Sequence, residues 1–196
     1  YMDFLLPGIV AMSIMQMGMF SVAFSFVQLK KLGILRRLFA TPVNPMSILF
    51  AQVVTRLLVS VVQTLLLFAI AVIFFNANVV GNILSIMIVA MLGGGVFLTI
   101  GFGVAGWAKN EHVAAPLSNV IAIPMMFLSG VFFGREFLPN VLQNITDYLP
   151  LTYLVDGLRN ISSDGASLWS QGNNLLGLSV WLGISFIVAT RFFRWE

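Results

Sequence analysis

The lone histidine, His112, stands beside Glu111 in the turn WAKNEH, residues 107–112. A metal centre needs several convergent ligands and this pair supplies two, so a solvated turn is the better reading. Cysteine is absent, which excludes thiolate metal sites and disulfides. A serine hydrolase inside an apolar region would need a histidine facing its serine, and Ser129-Gly130 has no such partner. The hexapeptide GFGVAG, residues 101–106, matches a dinucleotide fingerprint that acts only between a strand and a helix. Here it lies inside a long apolar run, where small residues let helices approach closely; Gly95 and Thr99 precede it and mark a packing helix. No Gly-x-x-x-x-Gly-Lys-Ser/Thr phosphate cradle is present either, since Gly93, Gly94 and Gly95 run into Val-Phe-Leu. The chain cannot hydrolyse ATP by itself, and no catalytic residue, bound cofactor or metal is expected.

The elements around these residues explain the scarcity. Hydrophobic residues make up 59%, charged residues 9%, and the mean hydropathy is +1.00. A soluble surface would need roughly a quarter charged residues, so the chain belongs in a membrane. Apolar runs near 4–28, 48–75, 83–107, 113–133 and 173–193 each reach the roughly 20 residues a bilayer demands of a helix. A soluble chain of this size could not bury five of them, and a single all-α integral membrane domain follows. The net charge of +3 comes from basic residues at the ends of those runs, which indicates orientation and not nucleic-acid binding. Lys30, Lys31, Arg36, Arg37, Lys109, Arg191 and Arg194 fall on one side and Arg135 and Arg159 on the other. The first side is therefore expected to be cytoplasmic, with Tyr1 outside and Glu196 inside. The start at Tyr1, without a basic n-region or cleavage site, reads as a chain lacking its natural N-terminus, with a first span missing.

Between the first two runs lies VQLKKLGILRRLFATPVNPMSIL, residues 27–49. On a helix, Leu32, Leu35, Leu38 and Phe39 share one arc and Lys30, Arg36 and Arg37 another, before Pro42 and Pro45 stop the helix. Two readings suit such a segment. It is either an elbow whose arginines bind anionic headgroups or a docking element for a cytoplasmic partner.

The segment LKKLGILRRLFATPV resembles the loop after the second span in permeases of the ATP-binding-cassette type-2 exporter family. PMMFLSGVFFGREFLPNVLQNITDYLPLTYLVDGLR, residues 124–159, is similar to a second and more specific region of that family. The chain departs from the pattern in having no carboxylate between Asp3 and Glu111, and in Gly134 where many relatives have Pro. The resemblance implies six spans with the first missing here, a second permease half of identical or different sequence, and two copies of a cytoplasmic ATPase that hold ATP and Mg. It also implies that residues 32–40 form a coupling helix, with Leu32, Leu35, Arg36, Arg37, Leu38, Phe39, Thr41 and Pro42 transmitting ATPase motion. Short helices at 137–149 and 151–161 would lid the outer end of the pathway, with Pro150, Leu151, Tyr153, Asp156 and Arg159 as gate residues.

The residues themselves support those two helices, through the spacing of Leu138, Val141, Leu142, Ile145, Tyr148 and Leu149, and again of Leu151, Leu154, Val155, Leu158 and Ile161. Both are too short to span and should lie on or dip into the outer leaflet, with Asp156 and Arg159 spaced for a local pair. On the first run, Ser13, Gln16, Ser21, Ser25 and Gln28 form a polar stripe that should turn from lipid toward protein or a cavity. Ser13, Gln16, Met17, Phe20 and Ser21 are the candidate pathway residues, with methionines as an adaptable wall. Arg56, inside the second run, is long enough to snorkel to the cytoplasmic headgroups, a reading preferred over a pathway role. Asn144 and Asn160 open glycosylation sequons.

The leading expectation is thus the permease subunit of an ATP-driven exporter in a plasma (inner) membrane of bacterial or archaeal type, surrounded by lipid. It would move a hydrophobic, drug-like or lipid-like molecule outward by alternating access. Export of a lipid-linked glycan or polysaccharide, an ATP-independent secondary transporter or channel, and a membrane-embedded transferase are the alternatives. The last two lack intramembrane carboxylates and a catalytic pair, respectively.

Overall fold

A computed structural model describes residues 2–32, 45–108, 110–132, 134 and 139–192. Helix α1 runs Met2–Lys31, α2 Pro45–Phe75, α3 Ile83–Trp107, α4 Glu111–Leu128, α5 Asn140–Thr146, α6 Pro150–Ser162 and α7 Gly172–Phe192. A 3-10 turn, Leu168–Gln171, precedes α7. There is no strand among the described residues, and five helices are long and apolar enough to cross a membrane. The short links between them are closed by side chains: Asn82 Oδ1 accepts from Leu84 N (2.9 Å) at the start of α3, and Asn110 Oδ1 from Val113 N (3.0 Å) at the start of α4. Each satisfies one of the amide donors that a helix start leaves open.

Helix α3 is the axle. It packs against α1, α2, α4, α6 and α7. It does so through small residues, as expected where the surrounding solvent is as apolar as the protein. A Cβ on Gly101 would lie 2.7 Å from the Met19 carbonyl oxygen, and one on Gly18 would lie 2.9 Å from Phe97 Cβ, so α1 and α3 touch backbone to backbone. Gly103, in the same hexapeptide, faces open space. The glycine pattern is a helix-packing device at Gly101, and the third residue of the motif has no steric role.

Burial is unequal. About half of the apolar windows of α1 (50%) and α3 (44%) is covered by the chain itself, against 22% for α2 and 17% for both α4 and α7. Leu58, Val62, Leu66, Ile73 and Phe74 on α2 and Leu176, Val180, Phe186 and Ile187 on α7 are all exposed. In water each such side chain would forgo roughly 1.5–3 kcal/mol of burial, which a bilayer supplies instead.

Helix α6, expected to lie on or dip into the outer leaflet, packs its apolar face into the bundle. Leu151, Leu154, Val155, Leu158 and Ile161 are all 0% exposed, against α1, α3 and α7. Gly93 and Gly157 make the room: a Cβ on Gly93 would collide with the Leu154 side chain, and Gly157 rests near Val89 of α3. Helix α5 stays at the periphery, with Ile145 and Tyr148 exposed.

Candidate functional site

Three places in the bundle hold polar side chains that the packing does not explain away. The first is the uncovered face of α1. The buried side is almost wholly apolar: Val10, Ala11, Ile14, Met15, Met19, Val22, Ala23, Phe26 and Val27 are at most 1% exposed. The polar stripe does not share that side. Ser13, Met17, Phe20 and Ser21 are half-buried and Gln16 is exposed. Ile9, Ser13, Gln16, Phe20 and Phe24 fall within about 80° of arc at 100° per residue. The rings of Phe20 and Phe24 stack on that arc with centroids 6.3 Å apart. The stripe also divides: Ser21, Ser25 and Gln28 drift toward the side of α1 that meets α2.

The second place is the Asp3 end of the bundle, where α1, α6 and the links around them are fastened together. Pro7 has no amide hydrogen, so the Asp3 carbonyl one turn earlier has no helical donor. Ser163 Oγ donates to that oxygen instead (3.0 Å), and Asp3 Oδ1 accepts from Asn78 N (3.0 Å). One residue on, Arg159 Nη2 donates to the Phe4 carbonyl (3.4 Å) and to the Gly130 carbonyl beyond α4 (3.0 Å). Its guanidinium also lies 3.9 Å from the centroid of the Phe4 ring. One cation thereby joins α6, the first turn of α1 and the end of α4. Of the expected gate residues, Pro150 and Leu151 are buried, and Tyr153, Asp156 and Arg159 are half-buried. Tyr153 packs on Gly177 of α7.

The third place is at the opposite end of α1. Arg56 Nη2 donates to Ser25 Oγ (2.6 Å), so the guanidinium is directed across to α1 and not simply along its own helix. Among the described residues this hydroxyl is its hydrogen-bonding partner, and no acidic side chain reaches it. Beyond Lys31, Leu32 is 63% exposed, with its amide donating to the Gln28 carbonyl (2.9 Å). Leu35, Arg36, Arg37, Leu38, Phe39, Thr41 and Pro42 lie outside the described residues.

Sequence reasoning missed the roles of Asp3, Phe4, Gly130 and Ser163. The one local signal was Pro7, whose ring exposes the Asp3 carbonyl. It also missed two polar ties on α7. Thr99 and Ser185 share a hydrogen bond between α3 and α7 (2.5 Å), and Gln171 Oε1 accepts from both Asn160 Nδ2 (3.0 Å) and Asn174 Nδ2 (2.8 Å). Asn160 is therefore engaged internally despite opening a sequon, whereas Asn144 is exposed. Among the described residues no cluster of three or more His, Cys, Asp or Glu could hold a metal.

Comparison with known proteins adds a second line. The family model described as "ABC-2 type transporter" matches residues 1–162. ABC transporter G family member 20 of Dictyostelium discoideum is 30% identical over 168 residues, covering 86% of this chain and 23% of that protein. The inner membrane transport permease YadH of Escherichia coli is 25% identical over 159 residues, 81% of this chain and 62% of YadH. The Escherichia coli protein named "Probable multidrug ABC transporter permease YbhR" is 26% identical over 196 residues, 99% of this chain and 53% of YbhR. The chain thus spans between 23% and 62% of the length of these relatives.

Proposed function

The chain belongs to the ABC-2 type transporter family, and from that premise we propose that it is the membrane half of an ATP-driven exporter for hydrophobic or amphiphilic molecules. It pairs with a second permease half and with a cytoplasmic ATPase present in two copies, on which ATP and Mg bind. The basic ends of α1 and α7 face the cytoplasm of a bacterial or archaeal plasma membrane, and the Asp3 end faces out.

The observation that carries this reading is the uncovered face of α1. Gln16 and Ser13 would be costly against lipid, since a polar group transferred to hydrocarbon without a hydrogen bond costs several kcal/mol. A second permease half placed over that face would turn Ser13, Gln16, Met17, Phe20 and Ser21 into one wall of an aqueous or substrate-filled pathway. Stacked phenylalanines and a methionine give that wall adaptable apolar contact. The multidrug permease named among the relatives suits the same chemistry.

Helix α1 supplies the coupling. Its 30 residues make a rod of about 45 Å. One end continues into the basic loop of Arg36 and Arg37, and the other is held at Phe4 by Arg159. Motion of the ATPase at the loop would tilt the rod and load the Arg159 latch, opening the pathway outward.

Purification of the full-length protein in mild detergent, with mass spectrometry of its companions and an ATP-hydrolysis assay, tests the proposal. A stoichiometric ATPase subunit is expected. Arg36→Glu with Arg37→Glu should abolish substrate-stimulated hydrolysis while expression stays intact. Unchanged stimulation would remove the loop from the coupling path, and transport without ATP would overturn the exporter reading.

A further inference from the structure

Arg56 differs from every other described basic residue in lying well inside an apolar span. Ser25, its partner, is six residues short of the end of α1, a depth of about 9 Å along the helix. A guanidinium has five donors in a planar fork. Here one is spent on a neutral hydroxyl across the groove between α1 and α2, and the residue remains half-buried. The floor of that groove is apolar and well packed: Val53 and Leu57 rest on the buried Val22, Phe26 and Leu98.

The rim is polar in a way the rest of α2 is not. Gln52 and Gln63 stand four residues before and seven after Arg56, within about 40° of one another on the helix, and both are half-buried. Neither amide has a hydrogen-bond partner among the described residues. Ser21 and Gln28 flank Ser25 on the facing side of α1. Just outside this polar strip, Val59, Val62 and Leu66 of α2 are exposed apolar surface. A cation with spare donors, neutral amides either side, and a smooth apolar track running toward the membrane centre together match an anionic amphiphile.

We propose that the α1–α2 groove at Arg56 binds an anionic phospholipid, its phosphate held by the Arg56 fork and Gln52 and its chains laid along Val59, Val62 and Leu66. Arginine is suited to this because its fork meets two phosphate oxygens at once, and an ionised acceptor roughly doubles the strength of each bond. The phosphate also supplies the counter-charge that the neighbouring side chains do not. Lipid seated here would press on α1 beside Ser25, close to the start of the basic loop. The proposal concerns binding to this chain and is independent of the exporter reading.

Native mass spectrometry of the detergent-purified full-length protein, titrated with phosphatidylglycerol or phosphatidylcholine, reads it directly. Wild type is expected to retain phosphatidylglycerol about tenfold more strongly than phosphatidylcholine. Arg56→Gln should bring the ratio close to one, while Arg56→Lys should keep part of the preference through its charge. Equal retention of the two lipids by wild type, or a preference that survives Arg56→Gln, would overturn the proposal. Displacement of the lipid by millimolar inorganic phosphate would overturn it too, by showing a site for a soluble anion. Should Arg56→Gln fail to fold, the Gln52→Leu, Gln63→Leu double variant tests the same groove: weaker phosphatidylglycerol retention is expected, and undiminished retention would count against the site.

Discussion

Two arginines sit half-buried in this bundle at opposite ends of α1, and they are held in opposite ways. Arg159 is fastened by structure: its Nη2 donates to two backbone carbonyls from different elements and its guanidinium lies over an aromatic face. Among the described residues Arg56 is met by one neutral hydroxyl. The same side chain is a fastener where the backbone has carbonyls to spare and an unsatisfied cation where it has none. At the Asp3 end, Pro7 frees the Asp3 carbonyl for Ser163, and the turn at Gly130, with its positive φ of 73°, leaves a carbonyl outside the helical ladder for Arg159. The regular helices around Arg56 offer no such acceptors, because their carbonyls are already used.

That contrast ranks the outcomes of mutation. Arg159→Ala should have the largest effect, because it removes two charged hydrogen bonds and the ring contact. Charged hydrogen bonds of about 1.5–3 kcal/mol each suggest a loss of about 3 kcal/mol, read as a lowered unfolding midpoint in detergent by tryptophan fluorescence. A midpoint equal to wild type would dissolve the distinction between the two ends. Ser25→Ala, which deletes the partner of Arg56 among the described residues, should cost about 1 kcal/mol in the same assay. Loss as severe as that of Arg159→Ala would show that α1 and α2 depend on this bond as a fastener. Smallest of all should be Arg56→Met in detergent stripped of anionic lipid. An apolar side chain of similar length relieves the desolvated cation, and a shift within about 0.5 kcal/mol is expected. A large destabilisation would mean that the guanidinium is structural after all.

The two short helices differ in a parallel way. In sequence, the spacing of apolar residues in 138–149 and 151–161 looks equivalent. The structure buries Leu151, Leu154, Val155, Leu158 and Ile161 of α6 and leaves Ile145 of α5 and Tyr148 just after it exposed. Spacing declares that a helix has an apolar face; it does not say whether other helices have left a slot for it. Gly93 and Gly157 are that slot, and their sequence signature is indistinguishable from that of any small residue in a span.

Much of the architecture was legible in the residues alone. Hydropathy is a local property and the bilayer acts on it directly, so the all-helical class and five spans could be read from the chain. Family membership was equally legible, because the 124–159 region carries its own pattern. The inward side of each span was not. Lipid is as apolar as the core, so α1 is apolar on its buried face and largely apolar on its open one, and only close approach at Gly18 and Gly101 decides between them. The partners of Arg159 and Arg56 were likewise settled by tertiary structure. The Phe4 carbonyl and a hydroxyl on the next helix become partners only when packing brings residues 155 and 31 positions apart to hydrogen-bonding distance.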